Sequence, residues 1–91
     1  MEESLVQTLE RLQGQGRLKE LAISETGFSF DPRSGQSFSL NETALFAINK
    51  FMEGLDPEAT AREFSEEFEV EEELALSAVE VFIRQLGRYL K

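Results

Sequence analysis

Two short segments with alternating apolar and polar residues stand near the middle of the chain. They read FSF (28–30) and FSL (38–40). A period of two places both Phe side chains of the first segment on one face of a strand, and Phe38 and Leu40 on one face of the next. The loop DPRSG (31–35) between them holds Pro, which restricts φ, and Gly, which supplies a positive φ. The pattern therefore predicts an antiparallel hairpin.

A helical pattern precedes the hairpin. Leu5, Val6, Leu9 and Leu12 recur at helical spacing in residues 3–13, and the GQG sequence at 14–16 interrupts them. Residues 18–24 are ambiguous, since their apolar residues fit either a strand or a helix. We favour a strand in the second half of this segment, because the ETG sequence at 25–27 is typical of a turn leading into Phe28.

Three helices are predicted after the hairpin. Asn41 is a suitable N-cap for a helix over 42–53, which Gly54 ends. Asp56 followed by Pro57 is a favourable start for a second helix, over 57–68. The acidic residues 71–73 suit the positive N-terminal end of a third helix, over 72–89.

This order of elements predicts an α+β, winged-helix-like domain with a three-stranded antiparallel sheet followed by three helices. We assign residues 1–16 to a short N-terminal helix and linker, and residues 17–91 to the domain. The residues expected to be buried together are Phe30, Phe38, Leu45, Ile48, Phe64, Phe68, Phe82 and Leu86.

Composition restricts the chemistry of this 91-residue chain. It has no Cys and no His, which excludes disulfides, thiolate chemistry, Cys/His zinc sites and His-based catalysis. The abundant carboxylates form a solvated charge run, so we expect neither an enzyme nor a metal or cofactor site. No apolar run is long enough to span a membrane, and the N-terminus does not resemble a signal peptide, which favours the cytoplasm.

The net charge of −9 is concentrated in one part of the chain. Residues 53–73 contain ten acidic residues and a single basic one, Arg62, so this window alone carries 1 − 10 = −9. Such a run usually forms a solvated helix surface. Because an acidic surface repels phosphate, nucleic acid and anionic membranes are not expected as partners.

Two features indicate a contact surface. In a three-stranded meander, residues 36–40 form an edge strand without the charge, Pro or bulge that usually protects such edges. An edge of this kind can accept an extended peptide as an added strand, or a second copy of the chain. In addition, the apolar residues of the third helix cover roughly 220° of its circumference, which exceeds the stripe a surface helix needs. Either this helix is central to the core, or one flank contacts a partner.

The sequence FDPRSGQSFSLNETA (30–44) resembles the strand–turn–strand region of the coenzyme PQQ synthesis protein D (PqqD) family. The sequences FMEGLDPEATAREFSEEFEV (51–70) and AVEVFIRQL (78–86) resemble later parts of the same family, so the resemblance covers residues ~20–91. Ala78 stands where the family usually has an acidic residue, and Tyr89 where it commonly has Gly.

The resemblance implies a non-catalytic peptide chaperone, or recognition element, for ribosomally made peptides. Family members bind a precursor leader peptide as an added strand between the third strand and the third helix, and deliver it to a modifying enzyme, a radical SAM enzyme in PQQ synthesis. Carried over to this chain, the peptide-binding residues are Gln36, Ser37, Phe38, Ser39, Leu40, Leu74, Ala78, Val81 and Gln85. The opposite border of the helix, with Leu76 and Ile83, is the competing wall.

Two other functions stay open from the sequence. The edge strand could serve a structural or dimerisation domain, which would make the protein a homodimer. A winged-helix nucleic-acid binder fits the element types but not the acidic charge. For the peptide reading, we expect Pro at Ser37 and at Ser39 to act differently, with one amide facing the free edge and the other the neighbouring strand.

Overall fold

The protein is an α+β domain in which a small sheet is followed by three helices. The computed structural model describes residues 3–90. Its elements, in chain order, are α1 (Leu5–Gly14), β1 (Ala22–Ile23), β2 (Phe28–Asp31), β3 (Gln36–Ser39), α2 (Glu42–Met52), α3 (Pro57–Phe68) and α4 (Glu72–Tyr89). The strands form one antiparallel sheet in the order β1-β2-β3. The predicted fold class is confirmed.

Side-chain caps explain where three of the helices begin. Ser4 and Gln7 form a reciprocal capping box at α1. The Asn41 side chain accepts a hydrogen bond of 2.8 Å from the Ala44 N–H at α2, and Asp56 does the same for the Ala59 N–H at α3. These carboxylate and amide oxygens satisfy backbone donors that have no partner inside the helix.

One core joins all the helices. α3 packs along α4, and α1 packs against α4 and α2. Leu9 and Leu12 of α1 are almost completely buried in the same cluster as Ile48, Phe51 and Ile83. The apolar face of the N-terminal helix therefore belongs to the core that the later helices form.

Most of the predicted core is found. Ile48, Phe64, Phe82 and Leu86 are buried, whereas Phe38, Leu45 and Phe68 are half-buried and pack against the cluster. Phe82 stacks on Phe51, with 6.1 Å between the ring centroids.

The prediction for Phe30 is wrong. Its side chain is 39% exposed and that of Phe28 is 56% exposed, while Ser29 and Asp31 between them are buried. The alternation is as predicted, but the other face of β2 points inward. Phe30 lies opposite Ser37, and Ser29 lies opposite Phe38, so Phe30 and Phe38 are on different faces of the sheet.

Gly27 and Asp31 explain which face of β2 is inside. At Gly27 a Cβ would collide with the backbone carbonyl oxygen of Leu40, and φ is +92°; only glycine fits this close approach. At the other end of the strand, the Asp31 carboxylate is needed in the interior, where it meets a buried arginine.

Candidate functional site

The sheet has one free edge beside the helices, and β3 forms it. β3 pairs with β2 and with no other strand in residues 3–90. The Leu40 N–H donates to the Gly27 carbonyl oxygen at 2.8 Å, just beyond the end of the ladder. Because the direction of backbone groups alternates along an antiparallel strand, Phe38 faces β2, whereas Ser37 and Ser39 face outward.

The expectation that Ser37 and Ser39 differ is therefore wrong. Residues two apart in a strand direct their N–H and C=O groups to the same side. Both serines present unpaired backbone donors and acceptors at the free edge. This gives β3 two complete peptide groups with which an added strand can pair.

A groove of about 910 Å³ lies between β3 and the C-terminal half of α4. Five of the predicted site residues line it, four from the strand region and one from the helix: Gln36, Phe38, Ser39, Leu40 and Gln85. Ser37 is not part of the lining, because its side chain points to the other face of the sheet.

The remaining predicted residues lie farther along α4. Leu74 and Val81 are 63% and 50% exposed, and Ala78 between them is exposed as well. The spacing of Leu74, Ala78, Val81 and Gln85 is four, three and four, which places them on one face of the helix. This stripe leads from the N-terminal end of α4 to the groove, which it reaches at Gln85.

The competing border of α4 is not available to a partner. Ile83 is completely buried and Leu76 is half-buried against the core. The wide apolar arc of this helix thus has two causes, since one part lies in the core and the Leu74–Val81 part is exposed.

An aromatic pair connects the strand to the helix. The rings of Phe38 and Tyr89 stack with centroids 5.9 Å apart and an interplanar angle of 16°. Both residues line the groove, and Tyr89 is 55% exposed. Sequence reasoning did not select Tyr89, although its distance of three residues from Leu86 would have placed it on the same flank of the helix.

A buried ion pair fixes the hairpin that carries β3. Arg17 donates from Nη1 and Nη2 to the two carboxylate oxygens of Asp31, at 2.9 and 2.6 Å. Both side chains are at most 2% exposed. The Arg17 guanidinium holds the pKa of Asp31 well below its ordinary value, against the opposing effect of burial.

The same carboxylate organises the turn. Asp31 accepts hydrogen bonds from the Arg33 N–H at 3.1 Å and from the Ser34 hydroxyl at 2.8 Å. On the other side, Gly16 has a φ of +68° and the Arg17 N–H donates to the Leu12 carbonyl oxygen, which together close the end of α1. The pair therefore ties the start of the domain to the base of β3.

Arg17 was missed because arginine is rarely buried and nothing in its spacing marks it. Arg33 and Arg88 also line the groove and were not selected. For Arg33 a signal existed, since it lies in the predicted turn next to the predicted edge.

Two searches found no further site. Residues 3–90 contain no group of three or more acidic side chains that could hold a metal ion. In the same part of the chain, no helix has the length and apolar character needed to cross a membrane.

The fold and the groove define a small α+β domain with an open strand edge beside its last helix. The family model for coenzyme PQQ synthesis protein D (PqqD) matches residues 28–89, from β2 to the end of α4. The chain therefore belongs to the PqqD family, as the sequence motifs indicated. Comparisons with curated proteins and with solved structures found no match.

Proposed function

We propose that this protein is a non-catalytic peptide-binding module that takes the leader of a precursor peptide as an added strand on β3. It would present that peptide to a modifying enzyme, which by analogy with PQQ synthesis is a radical SAM enzyme. Membership of the PqqD family supports the general role. Its groove lining has neither His nor Cys nor a carboxylate, the side chains that most often act as acids, bases or nucleophiles.

The observation that carries the proposal is the pair of outward-facing peptide groups at Ser37 and Ser39. Main-chain hydrogen bonds to an exposed edge supply affinity with little dependence on sequence, whereas pockets for alternate side chains supply specificity. The adjoining groove offers such pockets against Phe82 and Leu86. Each outward peptide group can make hydrogen bonds that water makes in the free protein.

The exposed stripe of α4 extends the proposed site. Leu74, Ala78 and Val81 would contact the part of the peptide that continues beyond the groove. Exposed apolar side chains on one helix face are typical of an interaction surface. Under this proposal, Val81→Asp weakens binding because it places a charge where apolar surface is to be buried.

The test is a titration of the full-length ¹⁵N-labelled protein with a synthetic copy of the short precursor peptide encoded beside its gene. We expect the amide signals of Gln36–Leu40 to shift on binding. Ser39→Pro should abolish binding, because Pro has no N–H to donate to the added strand. Ser39→Ala is the matched control, since it removes the hydroxyl and keeps the N–H.

Two results would contradict the proposal. Binding that leaves Gln36–Leu40 unshifted would place the peptide elsewhere. Shifts of the same amides that follow protein concentration alone would show that the edge pairs with a second copy, and a homodimer would take the place of the peptide complex.

A further inference from the structure

The groove has a charge that is opposite to that of the protein. The chain carries 18 acidic and nine basic residues. Three arginines line the groove, namely Arg17, Arg33 and Arg88, and no acidic residue does. The acidic window 53–73 contributes nothing to the lining.

The three arginines are not equivalent. Arg17 is neutralised by Asp31 and is 2% exposed, so it is not available to a ligand. Arg33 is 54% exposed and forms one ion pair, of 2.6 Å, with Glu20. Its planar guanidinium has five N–H donors, so this pair leaves several of them free. Arg88 is exposed and forms no ion pair with any carboxylate within residues 3–90.

The start of α2 adds to this positive end of the groove. Asn41 and Ala44, which stand at the N-cap and in the first turn of α2, are part of the lining. A helix N-terminus carries a partial positive charge from its unpaired N–H groups. Glu42 lies in the same turn and is exposed, but it does not line the groove.

We infer that the peptide taken by this groove is acidic, with Asp or Glu side chains that pair with Arg33 and Arg88. The inference rests on the proposed function and specifies its ligand. Arginine pairs with carboxylates through two parallel hydrogen bonds, which adds geometric selectivity to the attraction. The apolar groove residues Phe82 and Leu86 would receive apolar side chains of the same strand, so the expected segment mixes apolar and acidic residues.

The charge of the whole molecule makes this inference specific. A net charge of −9 repels acidic ligands at long range, so an acidic peptide gains no general attraction from the surface. Selectivity for acidic residues can then arise only where positive groups are local. A basic peptide, by contrast, would bind the acidic helices without using the groove.

The experiment uses a displayed library of random 12-residue peptides, selected in parallel on the full-length protein and on Ser39→Pro. We expect peptides that are enriched on the unmodified protein alone to be rich in Asp and Glu. One such peptide, and its copy with Gln and Asn in place of the acids, are then measured by fluorescence anisotropy. The amide copy should bind more weakly by several-fold.

Protein variants assign that loss to the groove. Arg33→Gln and Arg88→Gln should each weaken the acidic peptide roughly twofold to fivefold, the range for exposed ion pairs, and leave the amide copy unchanged. Arg62→Gln is the matched control, because Arg62 is an exposed arginine of α3 that does not line the groove. Circular dichroism spectra establish that each variant is folded.

The outcomes separate the two proposals. Peptides that need the Ser39 N–H but show no acidic enrichment, or bind equally well as amide copies, would overturn the acidic inference and leave strand addition intact. If no peptide distinguishes the protein from Ser39→Pro, the proposed function fails and the inference fails with it.

Discussion

The Arg17–Asp31 pair is the most consequential contact at the scale of single residues. Removing one partner leaves the other charge buried without compensation, which typically costs about 3–5 kcal/mol. We therefore expect Asp31→Asn to lower the free energy of unfolding by about that amount in chemical denaturation. The double variant Arg17→Met/Asp31→Leu removes both charges and should be closer to the unmodified protein in stability.

The pair also has a signature in the pH dependence of stability. The folded-state pKa of Asp31 lies below its ordinary value of 3.8. Its contribution is therefore fully present above that value and is lost as the pH falls toward the folded-state pKa. A denaturation series from pH 6 to pH 2 should show this loss in the unmodified protein and a smaller loss in Asp31→Asn. Equal slopes for both proteins would contradict the assignment.

Phe82 and Phe30 were predicted to share the core, but they lie in different environments. Phe82 is 8% exposed and stacks on Phe51, whereas Phe30 is 39% exposed on the outer face of the sheet. Phe82→Ala should cost about 3–5 kcal/mol, as is usual for large-to-small changes in a core. Phe30→Ala should cost less than about 1 kcal/mol. Urea denaturation of the two variants decides this, and similar losses would mean that the outer face is covered by a partner.

At the scale of elements, local patterns predicted most of the fold. The starts of α2 and α3 follow from Asn41 and from the Asp56-Pro57 step, because their caps act on backbone groups close in sequence. The inward face of β2 could not be predicted in this way. Both faces carry a plausible alternation, and the choice between them depends on Arg17, which is 14 residues away from Asp31.

The candidate site was predictable to the same extent. The edge position of β3 follows from the order of the strands, and the residues 36–40 follow from it. The part of α4 that lines the groove could not be separated from its exposed stripe, since helical periodicity gives the face but not the position of the sheet along the helix. Tyr89 and the groove arginines are brought to β3 only by tertiary packing.

The N-terminal helix offers a prediction for a whole element. α1 precedes the family match, which begins at residue 28. Nevertheless its Leu9 is 1% exposed and its Leu12 is completely buried. Leu9→Ala should therefore lower the free energy of unfolding by about 2–5 kcal/mol. Val6→Ala, at a 50% exposed position of the same helix, is the control and should change it by less than about 0.5 kcal/mol. A similarly small effect of Leu9→Ala would show that α1 is not part of the cooperative core.

At the scale of the whole molecule, charge is separated between two surfaces. The acidic window 53–73 covers α3 and the start of α4, and the arginines lie in the groove at the other end of α4. Like charges within the window repel one another, a cost that the fold offsets by burying the apolar faces of α3 and α4. The same separation leaves the groove as the surface where an anionic ligand meets positive side chains.

This separation also distinguishes a peptide from nucleic acid as the ligand. A duplex binder neutralises several phosphates at once, and its affinity falls steeply as salt rises. Here Arg33 and Arg88 are the exposed basic residues of the groove, and they act against a net charge of −9. We expect no duplex binding near physiological salt in a gel-shift assay at low micromolar protein. The charge-reduced variant Glu71→Gln/Glu72→Gln/Glu73→Gln serves as a comparison, because weak binding gained there would show that the acidic window prevents it. A shift with the unmodified protein that weakens as salt rises would instead support a nucleic-acid binder and would count against the peptide.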